Sequence, residues 1–192
     1  MFISRLYYLN VHMMEKLVDE LRDLPRDFVV LAIMPEKHFE PANMRLVKYL
    51  VHELGYHGAY VAMNKPYSNV SKVMEQSNID HNKILFIDCV SGQKSKAQNC
   101  VFLNSMESLT QIGICLDPVY KNSDLSFIFL DSLDAMSVYH DKKLVVRFVR
   151  NMIERIREHE MSGVMLGLRE ETDRQLINEL SVVCDKVIDM TE

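Results

Sequence analysis

The chain has 192 residues, of which 48% are hydrophobic and 26% charged, and a formal net charge of -5. That length and composition describe one globular domain able to bury a full core without disulfide or metal staples. The mildly acidic balance gives no electrostatic reason to expect nucleic acid or an anionic membrane surface as partner.

Short apolar runs alternate with longer amphipathic stretches, the pattern of βαβ units around a mostly parallel sheet. Leu6 to Leu24 reads as a helix: Leu17, Val18, Leu21 and Leu24 recur at helical spacing, and Pro25 stops it. This N-terminal helix, within residues 1–25, is expected to pack on the core of a single domain spanning 1–192. Phe28 to Ile33 is a continuous apolar run, as a strand buried on both faces should be. A loop containing Pro35 and Pro41 follows, then a helix from about Pro41 to Leu54, with Pro41 suited to its first turn and Gly55 to its stop. Gly58 to Met63 is the next strand, Asn64 to Tyr67 a turn, and Ser68 to Gln76 a helix. Lys83 to Asp88 is a third strand, Ser91 to Asn99 a polar surface loop, and Val101 to Leu103 a short extra strand. A helix is expected over Met106 to Tyr120, despite Gly113 and Pro118, before a fourth main strand from Ser126 to Asp131. Asp141 to His159 is a long amphipathic helix, Gly163 to Leu168 a strand, Glu171 to Ser181 a helix, and Asp185 to Met190 the closing strand.

In open α/β sheets, ligands sit outside the carboxyl ends of the strands, so those ends hold the candidates. A phosphate-binding loop after the first strand would need glycines, free backbone N–H groups and a Gly-Lys-Ser/Thr tail. The segment Met34 to Asn43 has no glycine, two prolines and the acids Glu36 and Glu40; Lys37 alone remains as a phosphate contact, or as a solvated surface residue. Two strands end in four apolar residues and an aspartate, at Asp88 and Asp131. That is the form of a Walker B strand, whose carboxylate helps hold a magnesium ion, and also the form of a strand ending in a helix or turn cap. Asn64 and Lys65 follow the second strand, where a hydrolase would want a carboxylate to orient water; a rigid turn at Pro66 is the plainer reading. Arg169 follows a late strand and reads either as a contact to an anion or a neighbouring subunit, or as a surface ion pair. Lys37, Asn64, Lys65, Asp88, Asp131 and Arg169 therefore form the expected ligand edge, with Asp131 as metal ligand only if a magnesium nucleotide binds. No catalytic residue is assigned, and no nucleophile elbow is present.

Cys89, Cys100, Cys115 and Cys184 form no C-x-x-C pair and lie in or beside apolar residues, as buried reduced thiols do. The histidines are scattered, so no zinc site is expected. The N-terminus lacks a signal-peptide h-region, and the apolar runs are too short for a membrane span. A cytoplasmic protein with no membrane partner is the expectation.

Taken together, the segments from about Leu17 to Met190 resemble the RecA-like ATPase domain of the KaiC type, in particular a small archaeal-type branch with a degenerate site. The most specific stretch is Phe129-Leu130-Asp131-Ser132-Leu133-Asp134-Ala135-Met136, similar to that family's Walker B segment; Arg147-Phe148-Val149, Gly163 to Leu168 and Cys184 to Ile188 also match. The resemblance implies a three-layer RecA-like (P-loop NTPase-like) α/β fold. By position it sets the Walker A segment on Met34 to Arg45, which lacks every diagnostic residue, and the catalytic carboxylate near Asn64, where none stands. The expected function is a catalytically inactive regulatory or scaffolding domain that binds a protein partner or a second copy of itself. No cofactor is expected. The alternatives are a small-ligand or nucleotide-binding module at the same edge and, behind it, a true ATPase using Mg-ATP with an irregular loop.

Overall fold

The computed structural model describes residues 2–92, 96–104, 108–170 and 172–190, with side chains from residue 12 onward. The first helix, α1, spans Phe2–Arg22 and is followed by β1 (Val29–Met34), α2 (Glu36–Lys48), β2 (Gly58–Ala62) and α3 (Tyr67–Gln76). Then come β3 (Ile84–Asp88), β4 (Cys100–Phe102), α4 (Leu109–Tyr120), β5 (Phe127–Asp131), α5 (Leu133–Tyr139) and α6 (Lys142–Glu158). The chain closes with β6 (Ser162–Leu168), α7 (Arg174–Ser181) and β7 (Lys186–Asp189).

The strands form one seven-stranded sheet in the order β4-β3-β2-β5-β6-β1-β7. Every pairing between them is parallel, so the expected mostly parallel sheet is wholly so among the described residues. A parallel sheet of this kind is stable only when both faces are covered. β1 shows how: Val29, Leu31 and Ile33 enter one core, Val30, Ala32 and Met34 the other. The first core takes its helical cover from α4, α5, α6 and α7, the second from α1, α2 and α3. Met14, Leu17, Val18 and Leu21 seat α1 in the second core, as its apolar spacing predicts. Arg45 of α2 then reaches Glu15 of α1 at 3.2 Å and Glu53 at 2.6 Å.

Three segments differ from the sequence reading. The expected loop through Pro35 and Pro41 is helical from Glu36, with Pro35 as an extended N-cap and Pro41 inside α2. Pro41 lacks the N–H that would bond back to Lys37, but its fixed φ suits the helix, and buried Ala42, Leu46 and Val47 on the core side hold it in place. The helix then runs on as a π-helical turn over Tyr49–Glu53, which keeps Tyr49, Leu50 and Val51 buried. The second difference is α5, which was not expected at all; Leu133 and Met136 bury beneath it. The third is α4, which starts at Leu109 under a Ser108 cap and not at Met106, and runs through Gly113 and Pro118 to Tyr120 as expected. Met106, Glu171 and residues 93–95 of the polar loop lie outside the described residues.

β2 lies against β5 with no room for a side chain at its first residue. A Cβ on Gly58 would stand 2.4 Å from the Phe127 ring and 2.5 Å from its carbonyl oxygen. Gly58→Ala should therefore cost about 2–3 kcal/mol through forced repacking, read as a lower urea midpoint at unchanged m-value.

Candidate functional site

The chain passes outward from β2 through α3 to β3, and from β5 through α5 and α6 to β6. These two connections lie on opposite faces, so the chain leaves the carboxyl ends of the hydrogen-bonded neighbours β2 and β5 in opposite directions. Such a topological switch point opens a crevice, the usual ligand position in this class of sheet. Asp131 ends β5 opposite Ala62, and Asn64 follows β2.

Asp131 is 3% exposed and faces inward. The Tyr60 hydroxyl donates a short hydrogen bond to its Oδ2. Asn64 Nδ2 donates to its Oδ1 at 3.3 Å and to Ser132 Oγ at 3.0 Å. Tyr60 is itself clamped, stacked on Phe129 at 5.1 Å and tilted against Phe86 at 5.7 Å. Its hydroxyl accepts from Asn43 Nδ2 of α2 at 2.8 Å. A relay therefore runs Asn43–Tyr60–Asp131–Asn64 across α2, β2 and β5, buried from Asn43 to Asp131 and ending at the exposed Asn64. Burial raises the Asp131 carboxyl above its usual range, against the opposing hydrogen bonds from Tyr60 and Asn64. Burial raises the Tyr60 phenol as well, reinforced by the neighbouring carboxylate.

A pocket of about 180 Å³ opens on this relay from the α2–α3 side. Phe39, Asn43 and Met44 come from α2, Val70 and Val73 from α3, and Tyr60 and Asp131 from the sheet. Asn64 and Lys65 complete it with Glu40, and Lys65 and Glu40 form an ion pair with both side chains about half exposed. Of the expected ligand edge, then, Asn64, Lys65 and Asp131 converge on one cavity.

The other three expected residues do not join them. Asp88 is fully buried and saturated: Oδ1 accepts from the N–H groups of Val90 at 2.7 Å and Ser91 at 2.9 Å. Its Oδ2 accepts from the Tyr67 N–H at 2.8 Å and the Ser91 hydroxyl at 2.6 Å. Tyr67 opens α3, so Asp88 caps that helix from the next strand and has no lone pair left for a ligand. Arg169 pairs with Asp189 and lines a separate cavity with Ile33, Thr172 and Arg174. Lys37 is exposed on α2 and lines neither cavity. The last-named separation has a simple cause: α2 begins so early that Lys37 is carried onto the helix instead of resting in a loop over the sheet.

Two further polar groups escaped sequence reading. Asn43 had no signal beyond its position four residues after Phe39, which sets both on one face of a helix that was itself read as starting at Pro41. Asp134 is 4% exposed, accepts the Thr172 hydroxyl and accepts the Leu168 N–H at 2.7 Å, so it fixes the end of β6. The thiols are free, and burial pushes Cys100 and Cys184 up to about 12, which leaves them un-ionised at neutral pH. Among the described residues, no cluster of three or more His, Cys, Asp and Glu side chains gathers at any point, the crevice included. No described helix is long and apolar enough to cross a membrane.

Among solved structures, the chain is similar to a KaiC-like protein from the hyperthermophilic archaeon Pyrococcus horikoshii, with a TM-score of 0.63 at 12% identity, covering 86% of this chain and 72% of that one. No family model matches the sequence, and no curated protein matches it. The fold is thus the three-layer α/β arrangement of RecA-like domains, with a parallel sheet between two helical layers. At that identity the likeness speaks for architecture and not for activity.

The raised Asp131 carboxyl has a consequence for stability. Its folded-state value lies above the ordinary carboxyl value of the unfolded chain, so its contribution is complete below that ordinary value and is lost as pH rises through the folded value. Asp131→Asn removes this titration. Urea unfolding at pH 4.5 and 7.5 should show wild type losing stability relative to Asp131→Asn at the higher pH.

Proposed function

We propose that this chain is a RecA-like domain without nucleotide hydrolysis, acting as a regulatory or scaffolding module that binds a protein partner or a second copy of itself. The observation that carries the reading is the junction between β1 and α2. A phosphate cradle needs a stretch of irregular backbone whose N–H groups converge on the anion before the helix begins. Here only Pro35 separates Met34 from Glu36, it has no N–H, and Glu36 brings negative charge to the helix N-terminus.

A magnesium nucleotide fits poorly on the acidic side as well. Asp131 gives both carboxylate oxygens to Tyr60 and Asn64, and Asn64 stands where a hydrolase would place a carboxylate. Metal coordination would have to break a buried, aromatic-clamped hydrogen bond, and among the described residues no group of three or more His, Cys, Asp and Glu side chains is placed to hold the ion.

Partner binding draws support from apolar surface. Val138 is 72% exposed and Tyr139 48% exposed, and Leu144 follows at the start of α6, so the α5–α6 corner presents hydrophobic side chains to solvent. The small-ligand alternative is supported by the cavity over Tyr60.

The test is steady-state phosphate release from ATP and GTP with magnesium. The account expects release at the level of a protein-free blank, the same for wild type and Asp131→Asn. Magnesium-dependent turnover that disappears in Asp131→Asn would refute it.

A further inference from the structure

The helix α6 carries six cations, and they divide by position. Lys142, Arg155 and Arg157 each pair with an acid beyond the helix: Lys142 with Asp173 at 2.6 Å, Arg157 with Asp185 at 3.0 Å, and Arg155 with Asp117 of α4. Lys143, Arg147 and Arg150 are exposed and pair with no acid among the described residues. Their spacing of four and then three residues sets them in one row on the solvent side. Like charges one turn apart weaken a helix, and Glu154, one turn beyond Arg150, does not pair with it.

An apolar strip lies beside this row. Leu144 and Phe148 each follow a cation of the row by one position and stand one turn apart on α6. Val138 and Tyr139 end α5, with only His140 and Asp141 between the two helices. Phe148 is half-buried, and α4 meets its ring at Gly113, where a Cβ would stand 3.9 Å away. Gly113 has no side chain to cover the ring, and Ile114, the next residue of α4, is exposed.

We infer that this face of α5 and α6 docks an acidic amphipathic helix of a protein partner. The inference rests on the partner reading above and names the chemistry of that partner. The charge follows from Lys143, Arg147 and Arg150, which no acid of the described chain neutralises. The apolar component follows from Val138, Tyr139, Leu144 and Phe148, which leave hydrophobic surface open to solvent. The helix follows from the arrangement: a cation row and an apolar strip run side by side along α6, and an occupant that matches both carries an apolar stripe flanked by acids at helical spacing. An anionic bilayer fits less well. A flat surface also meets exposed Glu154 and Glu158 on the same helix and brings a chain of net charge -5 against like charge, whereas a helix about 10 Å across can end its contact at Arg150. The apolar stripes of this chain's own described helices are already buried in its two cores, so a second copy does not supply the occupant.

The test uses a synthetic helical peptide of about eighteen residues, with leucine along one stripe and glutamate along its flank, against a scrambled peptide of the same composition. Each is titrated into the full chain and followed by fluorescence anisotropy and by amide nitrogen–proton NMR shifts. The expected result is saturable binding of the striped peptide that moves the Tyr139, Leu144 and Arg147 resonances, about tenfold tighter than the scrambled one and weaker at higher salt. Leu144→Asp and Arg147→Glu, both at exposed positions, should each weaken binding about tenfold while their thermal midpoints report that the fold is kept. Val101→Asp, on the edge strand β4, should leave binding unchanged. Equal binding of the two peptides, shifts confined to another face, an affinity that neither α6 variant moves, or no saturable binding at millimolar concentration would each overturn the inference. So would binding of phosphatidylserine–phosphatidylcholine vesicles in place of the peptide, which would make this a membrane face, or a dimer in sedimentation that Leu144→Asp dissolves, which would make it a self-contact. The reading of the chain as a domain without hydrolysis fails on a different result, magnesium-dependent ATP turnover, and the peptide titration is decided independently of it.

Discussion

The passage from β1 into α2 at Pro35 is the constraint on which the rest of the carboxyl edge depends. Because one residue separates strand from helix, α2 starts level with the sheet's edge and not beyond a loop. Phe39 and Asn43, one helical turn apart, then land over Tyr60 of β2, two strands beyond β6. A longer connection would lift this face of the helix away from the sheet and leave Tyr60 open to water. The same short junction leaves only Pro35, which has no N–H, between strand and helix at this point.

Beneath that helix, the Asp131 carboxylate is held inward. Asp131 is buried, yet both of its oxygens are satisfied by groups from β2 and the turn after it. The arrangement obeys the rule that buried charge must be paired or hydrogen-bonded. It also ties β5, through Asp131, to α2 and β2, which come far earlier in the chain, through Asn43 and Tyr60. Phe86 and Phe129 hold the phenol ring between them, so the relay rests on core packing rather than on a mobile loop.

Much of this architecture is legible in the amino-acid sequence, because each buried strand is a short unbroken apolar run and each covering helix carries its own apolar stripe. All seven strands fall where those runs predict, within a residue or two. The positions of Asp131, Asn64 and Lys65 at strand ends were equally readable, since a strand's end is a local feature. Pro35 and Pro41 misled, as proline argues for a loop when nothing else is known, whereas buried Ala42, Leu46 and Val47 decide for helix. The relay itself could not be read. Tyr60 and Asp131 are 71 positions apart, and only the β2–β5 pairing register brings them together. Asp88 and Asp131 end similar strands and look alike in sequence. They differ only in what surrounds them: four cooperating donors at the first, and a phenol and an amide at the second.

The central claim is that this RecA-like edge no longer holds a nucleotide. It is tested most directly by thermal unfolding with and without millimolar Mg-ATP, Mg-ADP and Mg-GTP. A ligand that binds only the folded state stabilises it by mass action, by about 2.7 kcal/mol at a hundredfold excess over its dissociation constant, and so raises the midpoint. The account predicts the same midpoint with and without each nucleotide. A concentration-dependent rise that is lost in Asp131→Asn would mean that the carboxylate still turns outward to a metal–nucleotide complex, and would contradict it.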